Sequence, residues 1–224
     1  MVRFYYSDTE YIEVDTQSPT FEDITHNVVN FIPFSTKNNI IRLGFTKRVN
    51  FPIDFKDEAS FNNFVGILDK VTKISLDGNK FYYATYDGGS FKKVLWAGAF
   101  VPTNFSFILQ GLQYSLTEKI REGSAVCDNA GNYEAEPEFT ITVATGNTHF
   151  TISDGTRILT YNGNLSAGDV LVINNWNAYL NGNEVTKNLS GEFPLIPRNQ
   201  NSFTFTFGNI LASQVSIKYR DTWR

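Results

Sequence analysis

A mainly β fold with two β-sandwich domains is the architecture this sequence predicts, on three observations. The chain of 224 residues holds 20 Phe and 11 Tyr, types that fit a pleated, half-buried strand surface. Its second half breaks into short alternating runs with Gly/Asn turns about every ten residues, the spacing of a sandwich. Only one stretch carries apolar residues at helical spacing. The length allows one large or two small domains, each able to bury a core.

The elements follow in order. "VRFYYSDTEYIEVD" reads as two strands around Ser7-Asp8. "NNIIRLGFTKRVNFPIDF" alternates Ile41, Leu43 and Phe45 with Arg42, Gly44 and Thr46, a half-buried strand that Pro52 ends or places at an edge. In "DEASFNNFVGILDKVTK", Phe61, Phe64, Val65, Leu68 and Val71 line one face of a helix near 58–73, capped by Asp57 or Ser60. Gly66 weakens that helix by about 1 kcal/mol against Ala. Asp77-Gly78-Asn79 and Asp87-Gly88-Gly89-Ser90 read as hairpin turns. Beyond Pro137 the runs "EFTITVAT", "HFTISD", "RILTYN", "GDVLVINN", "NAYLNG", "NSFTFTFG" and "QVSIKYRDT" are all short strands. Domains are therefore expected at 1–117, helix included, and at 137–224, with 118–136 as a connector.

Charge and composition exclude several classes. Residues 1–117 hold 11 basic and 12 acidic side chains, and 118–224 hold 8 and 11. Neither half shows the basic footprint of a nucleic-acid binder. A single cysteine, Cys127, permits no intrachain disulfide. "MVRFYYSDTE" does not read as a signal peptide, and no segment has the roughly 20 apolar residues of a membrane helix. The expectation is a protein made in a cytoplasm that stays soluble or joins an assembly.

No catalytic constellation is legible, so no enzyme, metal or cofactor is expected. His26 and His149 stand far apart, without a second ligand at metal spacing. Glu134, Glu136 and Glu138 alternate along "YEAEPEF", which would put all three on one face of an extended segment. A glycosidase needs a second carboxylate about 5–9 Å away in a cleft; the plainer reading is a solvated edge. No phosphate loop or dinucleotide fingerprint occurs. Of Trp96, Trp176 and Trp223, the second lies in "INNWNAYLNGN", where Trp176 with Tyr179 can form a platform for a sugar or a protein.

The second half also carries four motifs in order. "NAGNYEAEPEFTI" is a turn, a small residue and a proline entering a strand. "LSAGDVLVINNWNAYLNGNEV" is a Gly-Asp strand start and an Asn-Gly hairpin. "GEFPLIPRNQNSFTF" leads through two prolines into an alternating strand, and "VSIKYRDTWR" is the last strand. Together, over Val126–Arg224, they resemble the C-terminal domain of distal tail proteins of long-tailed bacteriophages. One departure is that members usually have Gly within the turn occupied here by Arg198-Asn199-Gln200.

The resemblance implies a virion structural protein at the distal end of the tail, without enzymatic activity. It implies a homohexameric ring made by the N-terminal sandwich, and a galectin-like, jelly-roll C-terminal sandwich projecting outward. The ring would join the tail-tube protein to the tail-associated hub or spike protein, and in some relatives to a receptor-binding protein. DNA would pass through its channel without specific binding, and no membrane insertion is implied. In such a design Asn129, Gly131, Ala135 and Pro137 mark the crossing between domains, and Phe81, Tyr83 and Trp96 are candidates for ring contacts. The alternative is a carbohydrate-binding β-sandwich protein that attaches to host-surface glycans.

Overall fold

The computed structural model describes residues 1–23, 46–55, 57–90 and 101–224. These divide into two compact units, Met1–Tyr114 and Ser115–Arg224.

In the first unit, β1 (Val2–Tyr5) and β2 (Tyr11–Val14) form the expected N-terminal hairpin. They are followed by β3 (Thr20–Asp23), β4 (Lys47–Phe55), helix α1 (Glu58–Val65), β5 (Lys73–Ser75), β6 (Lys80–Ser90) and β7 (Val101–Ser115). The strands join in the order β2-β1-β5-β6-β7-β4-β3. β1 and β4 are four strands apart in that order, about 19 Å in a flat sheet. Yet the rings of Phe4 on β1 and Phe51 on β4 lie 5.2 Å apart, edge to face. The sheet therefore folds over on itself and reaches two-layer packing within one continuous sheet. Phe64 of α1 fills the fold, 5.0 Å from Phe4 and 4.9 Å from Phe105. Each such ring, fully buried, stabilises by roughly 1.5–3 kcal/mol.

Three local expectations change here. α1 ends at Val65, and Leu68–Lys70 tighten into a 3-10 turn. Phe64, Leu68 and Val71 stay buried, so the apolar spacing held while the backbone changed pitch after Gly66. Asp57 is the cap, its carboxylate accepting from the Ser60 N–H at 2.7 Å. Pro52 does not end its strand: β4 runs on to Phe55 and pairs with β7 throughout. β3 reaches only to the Thr20–Asn50 pair. The Pro52 carbonyl accepts from Gln17 on that side, so its missing N–H faces the same short-edged flank. Asp87-Gly88-Gly89-Ser90 is not a turn but the end of β6, where Gly89 lies against the Asn104 carbonyl. Ile41, Leu43, Phe45, His26, Trp96 and the "FKKVLWAGAF" segment lie outside the described residues.

The second unit begins with β8 (Lys119–Glu122), β9 (Val126–Asn129), β10 (Glu138–Thr142), β11 (Asn147–Ser153) and β12 (Ile158–Leu165). It continues with β13 (Val170–Asn174), β14 (Asn177–Leu180), β15 (Asn183–Glu184), β16 (Leu189–Gly191), β17 (Gln200–Thr204), β18 (Thr206–Gly208), β19 (Val215–Tyr219) and β20 (Thr222–Trp223). One sheet has the order β15-β14-β13-β10-β19-β8, a second β16-β12-β11-β18, and β17 pairs with β9. Strand alternation sends Phe139, Ile141, Leu171, Ile173, Val215 and Ile217 inward from the first sheet. Phe150, Ile152, Leu159 and Tyr161 come from the second. This is the sandwich the alternating runs predict. The stretch expected to be a connector contributes β8 and β9, which pair with β19 and β17 inside this unit.

Candidate functional site

Among the described residues no group of His, Cys, Asp and Glu is arranged to hold a metal. Two of the three acids of "YEAEPEF" are spent on separate partners. Glu134 pairs with Arg157 at 2.9 Å, and Glu138 with Lys218 at 3.1 Å and with the Asn174 amide at 2.9 Å. Glu136 is exposed. His149 hydrogen-bonds Asn162 at the surface. Cys127 is buried, and burial pushes its thiol up to about 11, so it is not a nucleophile at neutral pH.

Asn129, Gly131, Ala135 and Pro137 are framework positions within the second unit. Asn129 is fully buried at the end of β9. Its amide NH₂ donates to the carbonyls of Tyr133 (2.8 Å) and Pro197 (3.2 Å), and its amide oxygen accepts from the Gly131 N–H at 2.9 Å. Gly131 lies so close to the Thr222 backbone that a Cβ would overlap its carbonyl oxygen. Ala135 exchanges two backbone hydrogen bonds with Ile196, each 2.9 Å. Pro137 is buried at the entrance to β10. The "small residue, then proline" signature thus lets three chain segments pass close together. In the Arg198-Asn199-Gln200 turn, Asn199 takes the left-handed conformation at φ 54° and donates its N–H to the Gly131 carbonyl.

Below this framework lies a charged cluster that the sequence did not reveal. Lys119 reaches Asp128 (2.6 Å) and Asp221 (2.8 Å), and Arg121 reaches Asp128 at 2.5 Å. The Tyr219 hydroxyl donates to Asp128 at 2.9 Å. Burial would raise the Asp128 pKa, but the hydrogen bonds from Lys119, Arg121 and Tyr219 outweigh it and hold it at about 2. The legible signal was Lys119 and Arg121 on one face of a strand. Their partner depended on the pairing of β8, β19 and β9.

Trp176 and Tyr179 fall on the β13–β14 hairpin but do not share a face. Ala178 is buried in the sandwich, so Tyr179 points to the outer side, opposite Val172. Trp176 sits at the hairpin tip, half exposed, its ring 5.5 Å from Phe193, which is only 2% exposed. The turn is a two-residue loop between the paired Asn174 and Asn177. Asn175 and Trp176 have φ of 45° and 66°, a type I′ geometry in which Gly is favoured at the second position. A side-chain-bearing residue there costs roughly 1–2 kcal/mol.

In the first unit, Phe81 and Tyr83 lie on the face of β6 opposite the core, where Ala84 is buried. With Tyr114 of β7 they make a three-ring cluster with centroids 5.2–5.7 Å apart. Phe81 is 1% exposed and Tyr83 36%, so the exposed ring is that of Tyr83. Trp96 lies outside the described residues. Farther along the sheet, Thr20, Glu22, Arg48, Asn50, Asn104 and Ser106 line a polar groove. Its cation, Arg48, is paired with Asp87 at 2.7 Å.

Residues 130–223 match the family model described as siphovirus-type tail component, C-terminal domain. Among solved structures the chain is similar to the SPP1 Dit (gp 19.1) protein, described as a paradigm of hub adsorption apparatus in Gram-positive infecting phages. The likeness covers 100% of this chain and 98% of that one, with a TM-score of 0.60 and 12% sequence identity. At that identity it establishes the fold. No curated protein sequence matches significantly.

Proposed function

We propose, from the premise that this chain is a Dit-like siphovirus tail component, that it is the distal hub of the tail, a homohexameric ring with no catalytic activity. The observation that carries the reading is the family match over 130–223 joined to a whole-chain likeness to a hub protein. In this reading the first unit makes the ring and the second, as a galectin-like sandwich, faces outward. The ring bridges the tail-tube protein to the hub or spike protein beyond it, and carries a receptor-binding protein where the phage has one.

A closed ring repeats one heterologous interface until it closes. The aromatic cluster around Tyr83 is the proposed contact, since aromatic residues are enriched at such interfaces. A DNA channel must not grip phosphate. The polar groove along β3, β4 and β7 suits its wall, because the Arg48 charge is neutralised by Asp87 and Glu22 adds a negative one. The test is the mass of the purified protein, alone and mixed with its tail-tube protein, by light scattering after size exclusion. A hexamer in either sample is the expected result. A closed dimer, or a monomer in both, would overturn the ring.

A further inference from the structure

The second unit carries a knob and a hole. The knob is Trp176. Its two-residue loop, Asn175-Trp176 with φ of 45° and 66°, has the left-handed geometry of the next hairpin loop, Asn181-Gly182 with φ of 49° and 83°. At the second position the chain places Gly in one and its largest side chain in the other. The turn gains nothing from the indole, which is 50% exposed and backed by the buried Phe193 at 5.5 Å. A strained, exposed aromatic, held in place before anything meets it, marks a contact. The hole is a cavity of about 310 Å³ between the β10–β11 loop, the end of β12 and the β18–β19 loop. Val143, Leu165 and Ile210 give it apolar walls, and Thr145, Asn209 and Gln214 add hydroxyl and amide groups. Among the described residues no charged side chain lines it.

The two match in size and chemistry. The cavity is at the small end of the roughly 300–1,000 Å³ range of ligand pockets, which suits one large side chain better than an extended ligand. An indole brings an apolar body to the aliphatic walls and a single N–H, for which a hydroxyl or amide oxygen can accept. Leu211, next in the chain to Ile210, is 68% exposed and extends the apolar surface beyond the cavity. Knob and hole stand at opposite ends of β13. Just before that strand, the Val143 N–H donates to the Asp169 carbonyl at 2.9 Å and its carbonyl accepts from the Gly168 N–H at 2.8 Å. β13 then runs for 5 residues, roughly 16 Å, to the tip that holds Trp176. A unit therefore cannot seat its own indole, and the hole has to take that of another copy. A knob at one end and a hole at the other make a heterologous contact, the kind that repeats around a ring. One Trp buries roughly 150–250 Å², well short of the roughly 1,200 Å² of a stable interface. The contact therefore adds to one that already holds the copies together.

We propose that Trp176 of each copy seats in the cavity beside Val143, Leu165 and Ile210 on the second unit of the next copy. This seating rests on the hexamer proposed above. The test is ¹⁹F NMR of the full-length protein labelled with fluorotryptophan, alone and with its tail-tube protein. The Trp176 signal is assigned by its absence in Trp176→Gly, a variant that restores an Asn-Gly turn. A soluble paramagnetic probe reads the exposure of the ring in the hexamer and in a sample diluted until monomeric. In the hexamer that exposure is expected to fall at least about threefold. Gly146→Phe fills the cavity from its own side, since an added Cβ there meets only the Leu165 carbonyl, at 3.4 Å. It is expected to restore the exposure of Trp176 in the hexamer. Should that variant not fold, Thr145→Lys places a charge at the hole and should do the same. Trp176→Gly should dissociate on dilution at a concentration at least about threefold higher. A hexamer whose Trp176 stays as exposed as in the monomer, or stays shielded with the cavity filled, would overturn the contact and leave the ring standing. No hexamer in any sample would overturn the ring, and the contact with it.

Discussion

Asn129 and Gly131 show how much of the second unit rests on single side chains. One buried amide satisfies two carbonyls and an N–H, and one missing Cβ lets the Thr222 backbone pass. Gly131→Ala is expected to destabilise by about 2–4 kcal/mol, because the atoms it meets are backbone and cannot swing aside. Urea denaturation followed by tryptophan fluorescence measures this; an unchanged midpoint would contradict the close approach. The two positions were legible as special from "NAGNYEAEPEF". Their role was not, because sequence proximity to a domain boundary cannot be told from spatial proximity to Ile196, Pro197 and Thr222. Trp176 and Tyr179 teach the same lesson. Three residues apart, they read as one platform, and a hairpin tip plus strand alternation sends them to different faces.

At the scale of elements, alternation and turn chemistry carried most of the fold. Most strands beyond Pro137 and the N-terminal hairpin were readable from period, and the helix cap was narrowed to Asp57 or Ser60; the short β15 and β16 were not read, and "NSFTFTFG" divides into β17 and β18. Of the two readings of Pro52 the edge-like one holds, and Asp87-Gly88-Gly89-Ser90 was misread, because a breaker is defined by its neighbours. Pro52 falls just past the end of β3, and Gly89 serves a close approach to β7. The β8–β9–β19 cluster needed pairing information that no local pattern supplies.

That cluster makes a pH prediction. Asp128 is held at about 2 in the folded chain, below its ordinary 3.8. Between those values the unfolded chain binds more protons, so stability rises with pH through that window. The contribution is fully present above about pH 4 and is lost as pH falls toward 2. Asp154 is lowered as well: burial opposes this, and the N–H groups of Arg157, Leu195 and Thr156 overcome it. Asp128→Asn should therefore lower stability at pH 7 by about 1–2 kcal/mol, after allowance for its partial exposure. The gap from the unsubstituted protein should narrow near pH 2.5. Urea titrations at both pH values decide it, and a gap independent of pH would contradict the assignment.

At the scale of the whole molecule, the two units differ in how they reach two layers. The first bends one sheet until Phe4 meets Phe51, and the second packs separate sheets face to face. The sequence motifs that resemble the tail-protein family lie in the second unit, and so does the family match over 130–223. For the first unit, strand period was legible, but a sheet folded over on itself leaves no local signature. The proposed place of this chain is the distal end of a phage tail, and electron cryomicroscopy of intact virions carrying it is the direct test. Six copies in one ring around the axis, between the last tube ring and the tip, is the predicted result. Copies repeated along the tube, located in the head, or absent from the particle would contradict it.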